Sequence, residues 1–473
     1  MKLLTSLVVL LLIAISAKAE KKPNVLFLFA DDQCFETIGS LGLTDIDTPH
    51  LDRLVKNGTQ FTRAYNMGSW SGAVCVASRH MLLTGRFLWH ANTVHRKLKE
   101  EQVAHRLWPQ YMAKAGYDTY FTGKWHIRAK AEELFATAKN VRGGMPNQTE
   151  AGYNRPLPGK PDPWDPTDPK FEGFWKGGKH WSEVVADDAI EFLGTAKKSE
   201  NPFFMYIAFN APHDPRQAPK EYIDMYPHSR IKIPENFLPE YPFKDQIGNQ
   251  HKLRDERLGP MPRTEESIKV HRQEYYAIIT HMDAQIGRIL DELEKSGQDE
   301  NTYIFFTADH GLGVGHHGLF GKQNLYEHST RVPFIATGPG IPKGKKKDGA
   351  IYLQDVMPTS LEIAGVETPE QVQFNSLMLQ LTGDRKCSSY PAVYGAYLAL
   401  QRSVTHKGKK LILYPNVPIA RLFDIDEDPH EMKDLAKDGK NLDLQKSLFG
   451  KLLDLQEETG DTLDLKAKFP KLL

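Results

Sequence analysis

The feature that most constrains the fold is a set of short apolar runs, each of which ends abruptly at polar residues. Runs of this kind, rich in aromatic and β-branched side chains, are typical of strands covered on both faces, as in parallel sheets. Helical patterns lie between them, and the clearest spans Glu265 to Ser296, with Gly297 as a predicted C-cap. This alternation predicts an α/β fold with a mostly parallel sheet. The runs and the polar residues that follow them are Val25–Ala30 before Asp31 and Asp32, Asp118–Thr122 before Lys124 and His126, Phe203–Phe209 before His213, and Tyr303–Thr307 before Asp309 and His310.

These polar residues are expected to line one cleft, because the carboxyl ends of parallel strands meet at one edge of the sheet. The alternative for any single residue is a solvated turn, and for Asp32 it is a helix N-cap. Asp31, Asp32 and Asp309 supply carboxylate oxygens, which favour Ca²⁺ or Mg²⁺ over zinc. A cation would also remove the repulsion between adjacent buried aspartates. The sequence therefore predicts a metal site at this edge.

The N-terminal residues predict export. An apolar stretch from Leu3 to Ile15 follows Lys2, and Ala17-Lys-Ala19 fits a cleavage signal. Residues 1–19 are therefore predicted to be a secretory signal peptide and not a membrane span, which makes the protein periplasmic or secreted. With 60 Lys plus Arg and 60 Asp plus Glu, the charge balance gives no argument for a nucleic-acid partner.

Cys75 is the residue with the least obvious purpose. It lies in the stretch Cys75-Val-Ala-Ser-Arg79, at the start of a predicted helix. The chain has three cysteines, so at most one disulfide can form. A lone cysteine is by default a small buried hydrophobe. Cys34 is interpreted as a packed thiol of that kind, and Cys387 as a loop residue.

Taken together, the motifs resemble those of type I, formylglycine-dependent sulfatases, among them bacterial polysaccharide sulfatases and iduronate-sulfatase-like members. In chain order they are Asp31-Asp32, Cys75-Val-Ala-Ser-Arg79, Gly123-Lys124-Trp125-His126, Pro212-His213, Asp309-His310-Gly311 and Gly321-Lys322. The resemblance covers nearly all of the chain from about Pro23. It implies an alkaline-phosphatase-like fold, with a large, mostly parallel central sheet flanked by helices. A catalytic domain is expected over residues 20–350, and a small antiparallel-sheet subdomain over residues 351–473.

The resemblance also implies a chemistry for Cys75. A formylglycine-generating or anaerobic maturation enzyme would convert it to Cα-formylglycine (3-oxoalanine). The hydrated aldehyde would attack the sulfur of a sulfate ester, and its second hydroxyl would allow sulfate to leave. The implied ion is Ca²⁺, ahead of Mg²⁺, and its implied ligands are Asp31, Asp32, Cys75, Asp309 and His310. The implied catalytic residues are Cys75, Arg79, Lys124, His126, His213 and Lys322.

Roles follow from the same resemblance. Arg79 would hold the diol, and Lys124 the sulfate oxygens. His126 would accept the proton of the second hydroxyl, while His213 and Lys322 would protonate or polarise the leaving oxygen. Because Lys124 and His126 lie two positions apart, they share a face if the segment is extended.

Two positions depart from the usual pattern. Ala77 stands where the motif usually has proline. His310 stands where asparagine is frequent, and nitrogen is a poor ligand for Ca²⁺, so a contact with the sulfate or the diol is the alternative. His316, His317 and His328 form a further cluster, for which loop roles are preferred to a zinc site.

The predicted function is hydrolysis of sulfate esters of a sulfated carbohydrate. The candidate substrate contacts are Arg216 and two tryptophans, Trp164 and Trp175, which lie in a long segment rich in proline and glycine. Packing of the two indole rings onto the body of the protein is the alternative. Two other functions stay open: a phosphomonoester or phosphonate-ester hydrolase of the same superfold, and a non-catalytic glycan-binding protein in which Cys75 remains a thiol.

Overall fold

The computed structural model describes residues 21–383 and 388–473, so the predicted signal peptide and Cys387 lie outside the described residues. The strands are β1 Asn24–Ala30, β2 Thr59–Tyr65, β3 Gly68–Ser69, β4 Asp118–Lys124, β5 Thr137–Arg142, β6 Phe203–Ala208, β7 Thr302–Ala308, β8 Arg331–Thr337, β9 Lys345–Lys347, β10 Ile351–Tyr352, β11 Val393–Tyr397, β12 Gln401–His406, β13 Lys409–Tyr414 and β14 Ile419–Asp424. The helices are α1 Pro49–Asn57, α2 Val74–Thr84, α3 Leu88–His95, α4 Leu98–Val103, α5 Trp108–Lys114, α6 Trp181–Ala196, α7 Lys220–Asp224, α8 Glu265–Ser296, α9 Glu327–Thr330, α10 Val356–Ile363, α11 Met378–Thr382, α12 Leu442–Thr459 and α13 Leu465–Lys468. Across these two ranges, no helix is both long and apolar enough to cross a bilayer.

The larger sheet confirms the predicted α/β class. Within the described residues it has nine strands in the order β10-β2-β8-β7-β1-β6-β4-β5, with β9 paired to β2. Most neighbours run parallel, and β8 runs antiparallel to β2 and β7. Every residue of β1 is buried, as expected for a central strand covered on both faces. Helix α8 has the predicted bounds, and Gly297 caps it at φ 72°.

The register of the central strands decides where the polar residues emerge. β1 and β7 pair in parallel up to Ala30 and Ala308, so Asp31 and Asp309 follow side by side. Phe29 pairs with Ala208, and Gly123 pairs with the same Ala208 from the other side of β6. The ends of β1, β4, β6 and β7 therefore meet at one edge of the sheet, as the sequence predicts.

The smaller sheet has the order β14-β13-β12-β11-β3. Its C-terminal strands are antiparallel, whereas β3 pairs in parallel with β11. Ile351, Val356 and Leu381 pack in the core of the larger sheet. The domain boundary predicted at residue 350 stays a prediction; the antiparallel strands that follow it in the chain begin at Val393.

Gly123 makes the packing between β4 and β6 possible. It has φ 95°, and a Cβ at this position would lie 1.8 Å from the carbonyl oxygen of Ala208. Both the left-handed backbone and the close approach require glycine. The next residue is Lys124, so this contact also positions a residue of the site.

The substitution Gly123→Ala is expected to lower the free energy of unfolding by about 2 kcal/mol or more, because it adds backbone strain and a clash with a buried carbonyl. Chemical denaturation measures this. Gly450→Ala is the control, because Gly450 lies in α12 with nothing within 4 Å of the added Cβ. There, alanine is expected to stabilise the protein by about 0.5–1 kcal/mol. Equal effects of the two substitutions would contradict the assigned packing.

Candidate active site

Three carboxylates lie at the edge where the central strands end. Asp31 and Asp32 follow β1, Asp309 follows β7, and all three are fully buried. Asp32 has φ 69°, which is uncommon for a residue other than glycine. Its backbone N–H donates to Oδ1 of Asp309 at 3.1 Å. The turn after β1 thus brings the carboxylates together instead of exposing them.

Helix α2 supplies Cys75 from its first turn and Arg79 from one turn later, so both lie on the same side of the helix. Arg79 is 1% exposed. Its Nε donates to Oδ2 of Asp309 at 3.1 Å, and its Nη1 donates to the carbonyl oxygen of Lys124 at 2.7 Å. Arg79 is therefore a buried cation held between β4 and β7.

Charged groups surround the sulfur of Cys75. Sγ lies 3.4 Å from Nε2 of His310, 3.5 Å from Nζ of Lys322 and 3.9 Å from Oδ1 of Asp32. Burial alone would raise the pKa of the Cys75 thiol, but Lys124, Lys322 and His310 lower it well below its ordinary value. The site therefore favours negative charge on the side chain at position 75.

Lys124 is the last residue of β4, and its ammonium group donates to the carboxylate of Asp31. Burial alone would lower the pKa of Lys124, but Asp31 raises it above its ordinary value. The expected extended segment with Lys124 and His126 on one face is wrong, because His126 has φ 54° and the chain turns there. His126 nevertheless lies close enough to Cys75 to lower the pKa of its thiol. Among the described residues, its buried Nδ1 has no hydrogen-bond partner.

His213 and Lys322 form another wall of the site. Nζ of Lys322 lies 2.8 Å from Oδ2 of Asp32 and 3.0 Å from Nε2 of His213. Nδ1 of His213 lies 2.8 Å from the carbonyl oxygen of Asp214 and donates to it, so Nε2 faces the site. Burial alone would lower the pKa of His213, but Asp32 raises it to about 10.

Behind this wall lies a group of charges that the sequence analysis missed. Nη1 of Arg254 donates to Oδ2 of Asp214 at 2.5 Å, and the same guanidinium pairs with Asp255. Asp255 lies 3.9 Å from Nζ of Lys322. Arg254 is a third exposed, whereas both carboxylates are buried. The only signal in the sequence is that Asp214 adjoins His213; nothing there pairs Asp214 with Arg254.

The residues present fit a divalent cation. Ligand atoms of Asp31, Cys75, Asp309 and His310 all lie within 4.8 Å of one another, and Asp32 belongs to an adjoining group with Cys75 and His213. Oδ1 of Asp31 is buried and has no hydrogen-bond partner within the described chain, so an acceptor is left for a cation. Burial and the charge of Asp31 raise the pKa of Asp309 to about 7, a repulsion that a cation would relieve.

All three candidate substrate residues are at least partly buried, and each makes contacts within the protein. Trp164 is buried, and its ring centre lies 4.5 Å from that of Phe171, which favours the packing alternative. Trp175 is half-buried, and its Nε1 donates to the carbonyl oxygen of Pro166 at 3.4 Å. Arg216 is buried, and its guanidinium lies 5.5 Å from the ring centre of Tyr275. Their contacts with a substrate stay predictions.

The histidine cluster packs beside the site. His316 lies 2.9 Å from Glu36 through Nε2 and 2.9 Å from Asn236 through Nδ1, and its ring stacks on that of His328 at 5.1 Å. Cys34 is buried nearby, and burial raises the pKa of its thiol.

Comparison with known proteins agrees with this geometry. Residues 23–366 match the Sulfatase family model, and residues 315–458 match the model of the N-sulphoglucosamine sulphohydrolase C-terminal region. An arylsulfatase of Clostridium perfringens is 28% identical over 482 residues, covering 92% of this chain and 95% of that protein. An N-acetylglucosamine-6-O-sulfatase of Bacteroides thetaiotaomicron is 25% identical over 515 residues, covering 93% of this chain and 87% of that protein. A solved structure in complex with its substrate D-glucosamine-2-N,6-O-disulfate has a TM-score of 0.74 at 24% identity, covering 93% of this chain and 99% of that one.

The fold and the site thus define a hydrolase of the alkaline-phosphatase-like class. Because the family match covers most of the chain, the protein belongs to the sulfatase family. It is a sulfuric ester hydrolase, as the sequence predicts.

Binding of Ca²⁺ is expected to stabilise the folded protein, because the unfolded chain has no assembled site. At about 100 times its Kd, Ca²⁺ should add about 2.7 kcal/mol to the free energy of unfolding. Thermal denaturation with and without Ca²⁺ measures the effect. Asp31→Asn is expected to remove most of it.

The matched control is Asp283→Asn. Asp283 is also a buried carboxylate, but its oxygens accept from the backbone N–H groups of His50 and Leu51, away from the site. This variant is expected to lose stability and keep the Ca²⁺-dependent shift. A full shift in Asp31→Asn would show that the ion binds elsewhere.

Proposed function

We propose that the protein hydrolyses sulfate esters of a sulfated carbohydrate through a formylglycine made from Cys75. The observation that carries the proposal is the environment of Cys75. The residue is 2% exposed, yet its sulfur lies 3.5 Å from Nζ of Lys322 and 3.4 Å from Nε2 of His310. A thiol that only fills space in a core has no need of such neighbours.

The modified residue supplies an oxygen that bonds to sulfur and is later released, and the divalent cation, with Ca²⁺ preferred, supplies positive charge beside it. Asp31, Asp32 and Asp309 would hold that cation, together with His310 and the side chain at position 75. Arg79 keeps its own positive charge at the base of the site, since Asp309 and a backbone carbonyl orient it there.

The remaining residues handle the sulfate and the protons. Lys124 donates one N–H to Asp31 and has further N–H donors for sulfate oxygens. His126, whose Nδ1 has no partner within the described chain, takes a proton from the side chain at position 75. On the other wall, His213 and Lys322 lie 3.0 Å apart, and either can donate to the leaving oxygen. Asp214 holds the tautomer of His213 through its carbonyl oxygen.

The carbohydrate assignment has independent support. One relative is named as an N-acetylglucosamine-6-O-sulfatase, and one structural neighbour is bound to a sulfated glucosamine. Export through the predicted signal peptide at residues 1–19 fits a substrate outside the cytoplasm, and it allows a maturation enzyme to act on Cys75 on the way. The phosphate and phosphonate alternative is less well supported, because these relatives are named for sulfate esters.

Peptide mass spectrometry tests the nucleophile. In protein made in its own host, or together with a maturation enzyme, the peptide ending at Arg79 is expected to carry an aldehyde at position 75. Cys75→Ala is expected to lower kcat/KM for 4-nitrophenyl sulfate by at least about 10³-fold, because covalent catalysis is lost. Cys34→Ala, which removes a buried thiol outside the site, is the control and should retain activity.

An unmodified thiol in both preparations, with sugar binding but no sulfate release, would support the glycan-binding alternative. Faster turnover of 4-nitrophenyl phosphate than of the sulfate would support the phosphate alternative. Sulfate release from a sulfated oligosaccharide is the result that the proposal requires.

Arg254→Ala tests whether His213 and Lys322, which are proposed to face the leaving group, depend on the charges behind them. Without Arg254, the carboxylates of Asp214 and Asp255 lose their shared partner, so His213 and Lys322 are held less well. Turnover of alkyl sulfates, which leave poorly, is expected to fall about 10- to 100-fold, whereas 4-nitrophenyl sulfate needs little protonation and should lose much less. Arg254→Lys should restore part of the difference.

Arg257→Ala is the matched control. Arg257 lies three positions after Arg254 in the chain, but its guanidinium pairs with the exposed Glu150. It is expected to leave both substrates unaffected. An equal loss on alkyl and aryl sulfates in Arg254→Ala would mean that Arg254 acts on stability and not on the leaving group.

A further inference from the structure

A groove of about 280 Å³ lies between helices α3 and α4 and the turn that follows β4. It is outside the buried cluster around Cys75, and none of the residues assigned to the chemistry lines it. The ionisable side chains that line it are mostly basic: they are His95, Arg96, Lys99, Arg128, Lys130 and the single acid Glu133.

The charges of the groove are only partly compensated. Lys99 and Lys130 pair with the single acid, Glu133, at 3.1 and 3.5 Å. Arg96 and Arg128 are exposed, and neither has an acidic partner within 4.0 Å among the described residues. Two guanidinium groups that line one groove without acidic partners leave positive charge there, which an anion bound in the groove would compensate.

The groove lies beside a pair of histidines, one of which belongs to α2, the helix that also carries Cys75 and Arg79. Nδ1 of His80 donates to the carbonyl oxygen of Val76 at 3.2 Å, so its Nε2 accepts from Nδ1 of His95 at 2.9 Å. Nε2 of His95 is then the ring nitrogen that remains available to a group bound in the groove. His80 adjoins Arg79 on α2, and Arg128 follows His126 by two residues. Burial lowers the pKa of His80, and His126 and Arg128 are both close enough to lower it further, so the groove lies on the side of the site where His126 is found.

An aromatic face borders the same region. The ring centre of Trp70 lies 5.6 Å from that of His95 and 6.0 Å from that of His80, and the indole is half-buried. Trp70 precedes Cys75 by five residues. An apolar ring beside unpaired cations is a surface suited to a sugar that carries a negative charge.

We propose that this groove binds a second anionic group of the substrate, a carboxylate or a sulfate on a sugar that adjoins the one whose ester is cleaved. Arg96 and Arg128 bind the anion, and Trp70 packs against the sugar ring. The inference rests on the proposed sulfatase function and narrows its substrate to polyanionic carbohydrates. A monosulfated neutral sugar would leave the groove unused.

The test is the affinity for a heparin tetrasaccharide, measured by calorimetry on the full mature chain. The quantity measured is the Kd and not the rate of sulfate release. The double variant Arg96→Ala/Arg128→Ala is expected to raise Kd by about tenfold or more, because two charge-assisted contacts are lost. Arg96→Lys/Arg128→Lys keeps the charges and should recover part of the affinity. A carboxyl-reduced tetrasaccharide separates the two sources of the anion: a smaller loss with this probe assigns a carboxylate, and an equal loss assigns a sulfate.

The control is Lys114→Ala/Lys295→Ala. It removes the same number of charges from exposed positions just before β4 and β7, at the opposite edge of the sheet. Its Kd should stay within about twofold of the starting value, since distant exposed charges are screened. The inference is overturned if the arginine variant binds as tightly as the parent protein, or if the lysine control weakens binding equally. Failure to release sulfate from any ester would instead count against the proposed function. The binding measurement could still be interpreted, because it does not depend on turnover.

Discussion

The structure depends on the mutual neutralisation of charges that are buried at one edge of the large sheet. Three carboxylates face three cations there, each at most 4% exposed: Asp31, Asp32, Asp309, Arg79, Lys124 and Lys322. A single buried charge without its partner costs several kcal/mol. The carboxylates directly follow β1 and β7, whereas the cations come from α2, β4 and the loop after β7. The charges therefore balance only when all of these elements are in place, and folding and assembly of the site are one process.

The C-terminal sheet takes part in the same arrangement. Its edge strand β3 lies only five residues before α2, so pairing of β3 with β11 fixes the segment that leads to Cys75. A Cβ on Gly68 would lie 1.9 Å from the carbonyl oxygen of Ala396, which shows how close this approach is. In addition, Lys410 of β13 donates to Glu327 of α9 at 3.0 Å, and both groups are buried. The small sheet thus helps to position Cys75.

The sequence predicts the parts of the site that depend on local pattern. Strand ends and the bounds of α8 follow from apolar periodicity, and the parallel register then brings Asp31 to Asp309. Contacts between distant segments are different: the ion pair between Arg254 and Asp214 joins residues 40 positions apart, and no local signal marks it. The left-handed turn at His126 also depends on surrounding packing, and the role of Cys75 came from family resemblance and not from its own chemistry.

The cluster proposed for the chemistry and the groove proposed for recognition lie at different places in this structure and differ in burial. Arg79 has partners in both β4 and β7, so its replacement leaves buried groups unpaired and costs stability as well as activity. Arg96 and Arg128 are exposed and have no such partners among the described residues, so their replacement leaves no buried charge behind. Selection can therefore alter the groove at little cost while the buried cluster stays unchanged.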